Sequence, residues 1–208
     1  RVITEFGPGK NLVPADSETF LFRQEGPENN HKLLVIKWDE KENSVREGRV
    51  LEFPTDLDWA SFRIGTTMPP IWVNDKEALM IFHGIKEILK TGEGSSQETE
   101  KYVYSLGIAK LEKDENGKLK LSKENVCKLP ILHPDDLTIG NQALSPELHP
   151  KRRVVYVCGG VIEQRNGREY LVLFVNVGDS KTVGANYNLE TLMSKFSWLS
   201  PQNYRLSA

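Results

Sequence analysis

Apolar and polar positions alternate over most of the chain, in runs rich in β-branched and aromatic residues. A period of two puts successive side chains on opposite faces of an extended segment, which is the signature of a strand with one buried face. The pattern predicts strands over residues 20–23, 32–38, 48–53, 71–73, 78–83, 102–111, 118–121, 143–147, 153–159, 169–177 and 183–189. Turn-forming residues separate them: Glu115-Asn116-Gly117, Gly178-Asp179-Ser180 and Pro69-Pro70, with Arg165-Asn166-Gly167 as a hairpin turn between two apolar runs. Only residues 190–196 have helical spacing, and the polar stretch 90–100 reads as a loop inserted between strands.

A weak repeat runs through this pattern. An apolar strand carrying a glycine is followed by a loop and a second glycine-bearing strand, once as residues 78–85 with 104–109 and again as 153–161 with 173–178. Units of about four antiparallel strands are what propeller blades look like, although a sandwich of short strands alternates in the same way. The expected fold class is all-β, built of antiparallel β-propeller blades. The strand number fits about three blades, whereas a closed propeller takes about four to eight. No kelch-like period is present.

Composition narrows the function classes. The 208 residues carry a formal charge of -2, which supplies no basic field for nucleic acid. The longest strongly apolar run, 170–177, is a strand's length and too short to cross a bilayer. The two cysteines, Cys127 and Cys158, lie far apart without metal-ligand spacing and are read as buried free thiols.

Candidate chemistry rests on polar residues near strand ends. His83 closes an apolar run before Gly84, where a glycine lets a ligand or another backbone approach; on sequence alone a histidine tucked at a strand end is the favoured reading. Arg63, between Phe62 and Ile64, points away from the core or into solvent. Tyr104 in a strand is ordinarily a packing residue. Asp179 follows Gly178 after a very apolar run and suits either a turn or a site. Asp135 and Asp136 are adjacent, so on an extended chain they point apart and make a poor acid/base pair; they read as a turn or short-helix cap. His31, His133 and His149 show no ligand spacing, and Lys151-Arg152-Arg153 reads as a solvated turn.

The order of several short motifs carries more than their spacing. Lys10-Asn11-Leu12-Val13-Pro14 is followed by Arg63-Ile64-Gly65-Thr66-Thr67-Met68-Pro69-Pro70-Ile71. Then come Leu79-Met80-Ile81-Phe82-His83-Gly84-Ile85, Tyr104-Ser105-Leu106-Gly107-Ile108-Ala109, Ile131-Leu132-His133-Pro134 and Leu173-Phe174-Val175-Asn176-Val177-Gly178-Asp179. In this order the segments resemble those of glycoside hydrolase family 130, the mannosyl phosphorylases and β-1,2-mannosidases of a five-bladed propeller. The resemblance implies a single propeller domain over 1–208, N-terminally incomplete. It also implies a glycoside phosphorylase that cleaves β-mannosides with inorganic phosphate as co-substrate and no other cofactor or metal. Alternatives are a hydrolase of the same fold and a non-catalytic glycan-binding or interaction propeller.

In that family phosphate is held by basic residues with a histidine and a tyrosine, which correspond here to Arg63, His83 and Tyr104. Asp179 matches the aspartate that touches the sugar. The catalytic acid is expected upstream of Arg1. Leu12 stands in place of the family's tryptophan, and Cys158 in place of a glycine. The implied partner is an oligosaccharide or glycoside, without nucleic acid or membrane, in a cytoplasmic protein whose open blades are covered by a second copy or by a missing N-terminal segment.

Overall fold

The structure is a computed structural model that describes residues 8–42, 44–88, 101–136, 138–139, 142–143, 153–178 and 181–194. Strands dominate it. A first sheet is an antiparallel meander of β1 (Gly9–Pro14), β2 (Thr19–Gln24), β3 (Lys32–Asp39) and β4 (Ser44–Glu52). A second layer is centred on the long hairpin of β7 (Glu77–Ile88) and β8 (Lys101–Lys113). The short strands β5 (Arg63–Thr66) and β6 (Ile71–Trp72) pair end to end along the free edge of β7, and β9 (Leu119–Lys120) pairs with β8. A two-strand ribbon, β10 (Thr138–Ile139) and β11 (Gln142–Ala143), precedes a third meander of β12 (Arg153–Arg165), β13 (Arg168–Val177) and β14 (Lys181–Asn188). The single α-helix, α1 (Leu189–Ser194), closes the described chain. The two repeat units are the β7–β8 and β12–β13 hairpins. Among the described residues the sheets form no closed barrel or propeller.

The layers explain why some strands alternate and others do not. Met80 and Phe82 on one face of β7 pack with Leu21, Leu33 and Leu51 of the first sheet and with Trp59. Leu79 and Ile81 on the opposite face pack with Leu106 and Ile108 and with Val157, Leu173 and Val175 of the third meander. A strand covered on both faces reads as a continuous apolar run, as Ala78–Phe82 does. The third meander joins the second layer through a short parallel step, Arg153↔Val103 and Val154↔Tyr104, and folds back over the β7–β8 face from there.

Several expected boundaries shift. β7 and β12 extend five and six residues past the predicted ends because backbone pairing continues where the apolar pattern stops. β1 and β5 were absent from the predicted strands: β1 is broken by a bulge at Asn11 (φ 58), and β5 is only four residues long. Asn166 and Gly167 both take positive φ at the β12–β13 hairpin, as a tight primed turn demands. Asp135 and Asp136 lie in a 3-10 turn where Asp136 Oδ2 accepts from the His133 amide. Cys127 is buried but Cys158 is exposed, because it lies on the face of β12 opposite the buried Val155 and Val157. The predicted loop at 90–100, most of the 143–147 strand, the end of the 190–196 helix, His149, the basic run's Lys151 and Arg152, and Asp179 lie outside the described residues.

Candidate anion-binding site

Strand register brings three of the four sequence-derived site residues together. β5 pairs with β7 as Arg63↔Ile85 and Gly65↔His83, and β7 pairs with β8 as Ile85↔Tyr104. Paired residues share a face, and residues two apart on one strand share a face. Arg63, His83 and Tyr104 therefore stand on the same side of the sheet, with Gly65 between them. His83 is not at a strand end but inside β7, 2% exposed. Its ring lies between two phenols, 5.8 Å from Tyr104 and 5.5 Å from Tyr156, both tilted by 33°. Tyr156 arrives from β12 because the parallel step sets Val154 beside Tyr104 and alternation carries Tyr156 to the same face two residues on.

The residue that sequence reasoning missed is Arg23. It stands one residue before the end of β2, on the same side as Leu21, and is 5% exposed, so an arginine occupies a position that the alternation reserves for the core. Its guanidinium reaches across β5 above Gly65. A Cβ at Gly65 would sit 2.8 Å from His83 Cε1 and 3.0 Å from Arg23 Nη1, so only glycine leaves room for the pair. The available signal was a cation in phase with Leu21, two residues after an apolar position.

Arg23 Nη1 donates to His83 Nε2 at 3.5 Å, and Nη2 donates to Glu25 Oε1 at 3.4 Å. Arginine has no acceptor, so Nε2 accepts and the imidazole proton resides on Nδ1. Burial, and then the neighbouring guanidinium, push the pKa of His83 down to about 3, so the ring is neutral in ordinary buffers. Burial raises the pKa of the Tyr156 hydroxyl, with Arg23 opposing, and keeps it a protonated donor. Arg63 is half-buried rather than solvated. It donates from Nη1 to Glu25 Oε2 at 3.2 Å and from Nε to Asn30 Oδ1 at 3.3 Å. Lys10 Nζ lies 4.0 Å from Glu25 Oε1. Backbone bonds hold this corner: the Glu25 amide donates to Pro8 and the Ile64 amide to Asn30.

Two donors in the cluster have no acceptor among the described residues, Arg23 Nε and His83 Nδ1. A buried donor without a partner costs about 1–3 kcal/mol. The third such atom, Ser105 Oγ, belongs to the opposite face, since Ser105 pairs with Gly84. The chemistry gathered here is two guanidinia, a peripheral ammonium, a neutral imidazole N–H and two phenols around a single ion-paired carboxylate. Such a set can bind an oxyanion through charge-assisted donors. Among the described residues it holds no second carboxylate for a two-carboxyl glycosidase mechanism. Among the described residues no group of three His, Cys, Asp or Glu gathers as a metal would need. No helix there is long and apolar enough to cross a membrane.

No protein-family model, curated protein or solved structure matches this chain.

Proposed function

We propose that this cluster is the oxyanion cradle of a carbohydrate-active protein, the inorganic-phosphate subsite of a β-mannoside phosphorylase resembling glycoside hydrolase family 130. The observation that carries the reading is the convergence of Arg63, His83 and Tyr104 on a buried Arg23 whose Nε–H has no acceptor among the described residues. The family resemblance selected the first three; Arg23 joins them through space alone. In this reading the three meanders are consecutive blades of a five-bladed propeller, and the cytoplasm is the compartment such an enzyme would occupy.

The residues present account for the phosphate half of the reaction. Arg23 and Arg63 hold phosphate oxygens and lower the charge that the nucleophile presents to an anomeric carbon. His83 stays neutral without titrating, so its own part in the site is constant across neutral pH. An inverting phosphorylase also needs one carboxylic acid to protonate the leaving oxygen, with phosphate replacing the activated water. Glu25 is engaged by both arginines and is a poor candidate for that acid. That engagement also favours a second reading, a glycan-binding propeller that retains the cradle and performs no chemistry.

Calorimetry with inorganic phosphate tests the cradle: binding that disappears in Arg63→Ala and His83→Ala supports it, and no binding sinks it. Release of a sugar 1-phosphate from β-mannosides separates the two readings. Phosphate-dependent release supports the phosphorylase, equal turnover without phosphate supports the hydrolase, and phosphate binding without turnover supports the binding protein.

A further inference from the structure

We infer that Glu25 makes the cradle selective for an oxyanion that still carries a proton, so that hydrogen phosphate or a phosphomonoester monoanion is accepted and sulfate is rejected. The inference rests on the oxyanion reading of the site and adds its specificity determinant.

Glu25 occupies a position that a site built only to attract anions would leave to a neutral or basic group. Its carboxylate lies between the two guanidinia, with Oε1 3.4 Å from Arg23 Nη2 and Oε2 3.2 Å from Arg63 Nη1. Any anion gripped by both arginines is therefore brought up against it. These contacts are long beside the 2.7–2.9 Å typical of tight charge-assisted bonds. Lys10 Nζ stays at 4.0 Å on a side chain that is 69% exposed. A carboxylate has about four lone-pair sites, and its donors among the described residues leave some of them free. The Glu25 side chain is 27% exposed, open enough to meet a ligand.

The consequence is an asymmetry between tetrahedral anions of nearly equal size. An oxygen bearing a proton donates a charge-assisted hydrogen bond to Glu25 while the remaining oxygens accept from Arg23 and Arg63. Sulfate at neutral pH has no proton to give, so each of its oxygens meets the carboxylate as like charge. A hydrogen bond to a charged group, set against its replacement by repulsion, corresponds to about a ten- to hundredfold preference. Removing the carboxylate's charge while keeping its shape abolishes the repulsion and replaces an acceptor with an amide that serves either anion.

The test is calorimetric titration of the full chain with inorganic phosphate and with sulfate at pH ~7 and constant ionic strength, for the wild type, E25Q and E25D. The expected result is phosphate preferred about tenfold or more by the wild type. In E25Q the two affinities fall within about threefold, chiefly through a gain for sulfate. In E25D, whose carboxylate is withdrawn by one methylene, the preference lies between the two. Equal affinity of the wild type for both anions overturns the inference and leaves the cradle standing. So does E25Q weakening both anions equally, which would make Glu25 a strut for the arginines, or tightening both equally, which would make it a simple competitor. Failure of the wild type to bind either anion overturns the cradle and this inference with it. Should E25Q fail to fold, as circular dichroism reports, the wild-type ratio and E25D decide.

Discussion

Replacing Arg23 with methionine is expected to make the unliganded protein more stable and to abolish its response to phosphate. Arg23 is 5% exposed. Its Nε has no acceptor among the described residues, and an unsatisfied buried donor costs about 1–3 kcal/mol. Its other bonds are long, 3.5 Å to His83 and 3.4 Å to Glu25, and recover about 0.5–1.5 kcal/mol each at best. Removing the guanidinium also removes the penalty of holding a charge out of water, which is the reason that exchange of buried ions for apolar side chains is often neutral or stabilising by about 1–4 kcal/mol. Against this, His83 Nε2 loses its donor, a loss of about 1 kcal/mol. Glu25 keeps Arg63 and partial exposure, so it is not stranded. Methionine is unbranched and adapts to the space. The net expectation is a gain of about 1 kcal/mol for R23M without phosphate.

With phosphate the order reverses. A ligand that binds only the folded state adds about 2.7 kcal/mol at a hundred times its Kd, and R23M forfeits this term. Urea unfolding followed by tryptophan fluorescence reads both states, since Trp59 is packed in the first core beside Phe82. Phosphate also stabilises proteins generally by exclusion from their surface, so R23M itself is the control for that effect. Destabilisation of unliganded R23M by more than about 2 kcal/mol would show that Arg23 is a structural strut and refute the reasoning. Equal stabilisation of both proteins by phosphate would do the same.

Three further outcomes follow from the geometry. Gly65→Ala places a Cβ 2.8 Å from His83 and 3.0 Å from Arg23, so phosphate affinity measured by calorimetry drops at least about tenfold, with about 1–3 kcal/mol of lost stability; unchanged affinity contradicts the placement of the cradle over Gly65. His83 has a folded pKa of about 3 against an unfolded value near 6.5, so between these pH values the unfolded chain takes up a proton that the folded chain refuses. Stability then falls as pH drops through that window, by up to about 1.4 kcal/mol per pH unit, and His83→Gln flattens the curve there; identical slopes in both proteins between pH ~6 and ~4 count against it. Phe82 meets Phe53 at 5.0 Å and Trp59 at 5.5 Å in the first core, so Phe82→Ala loses about 3–5 kcal/mol in urea unfolding, and a loss under about 1 kcal/mol is incompatible with that packing.

The strands and turns were legible because their causes are local. Alternation in 169–177 and the Asn166-Gly167 turn dictate β13 and its hairpin whatever surrounds them, and the unbroken apolar run 78–82 already marks a strand buried on both faces. Residue identity marked Arg63, His83 and Tyr104, but the sequence could not say whether they meet. Register decides that, and register is set by pairing between residues far apart along the chain, Arg63 with Ile85 and Ile85 with Tyr104. β1 and β5 were invisible because a bulge and a four-residue length leave too little periodicity to read, and Cys158 escaped its expected burial because it falls on the face of β12 opposite Val155 and Val157. Arg23 is the clearest case of what tertiary structure alone decides. In the sequence it is the polar end of a short strand; in the fold it lies 60 residues along the chain from His83 and within hydrogen-bonding reach of it. Backbone propensity is a property of neighbours in sequence, whereas the burial of a cation and the acceptors around it are properties of neighbours in space. The strands of this protein follow from the first, and its candidate site from the second.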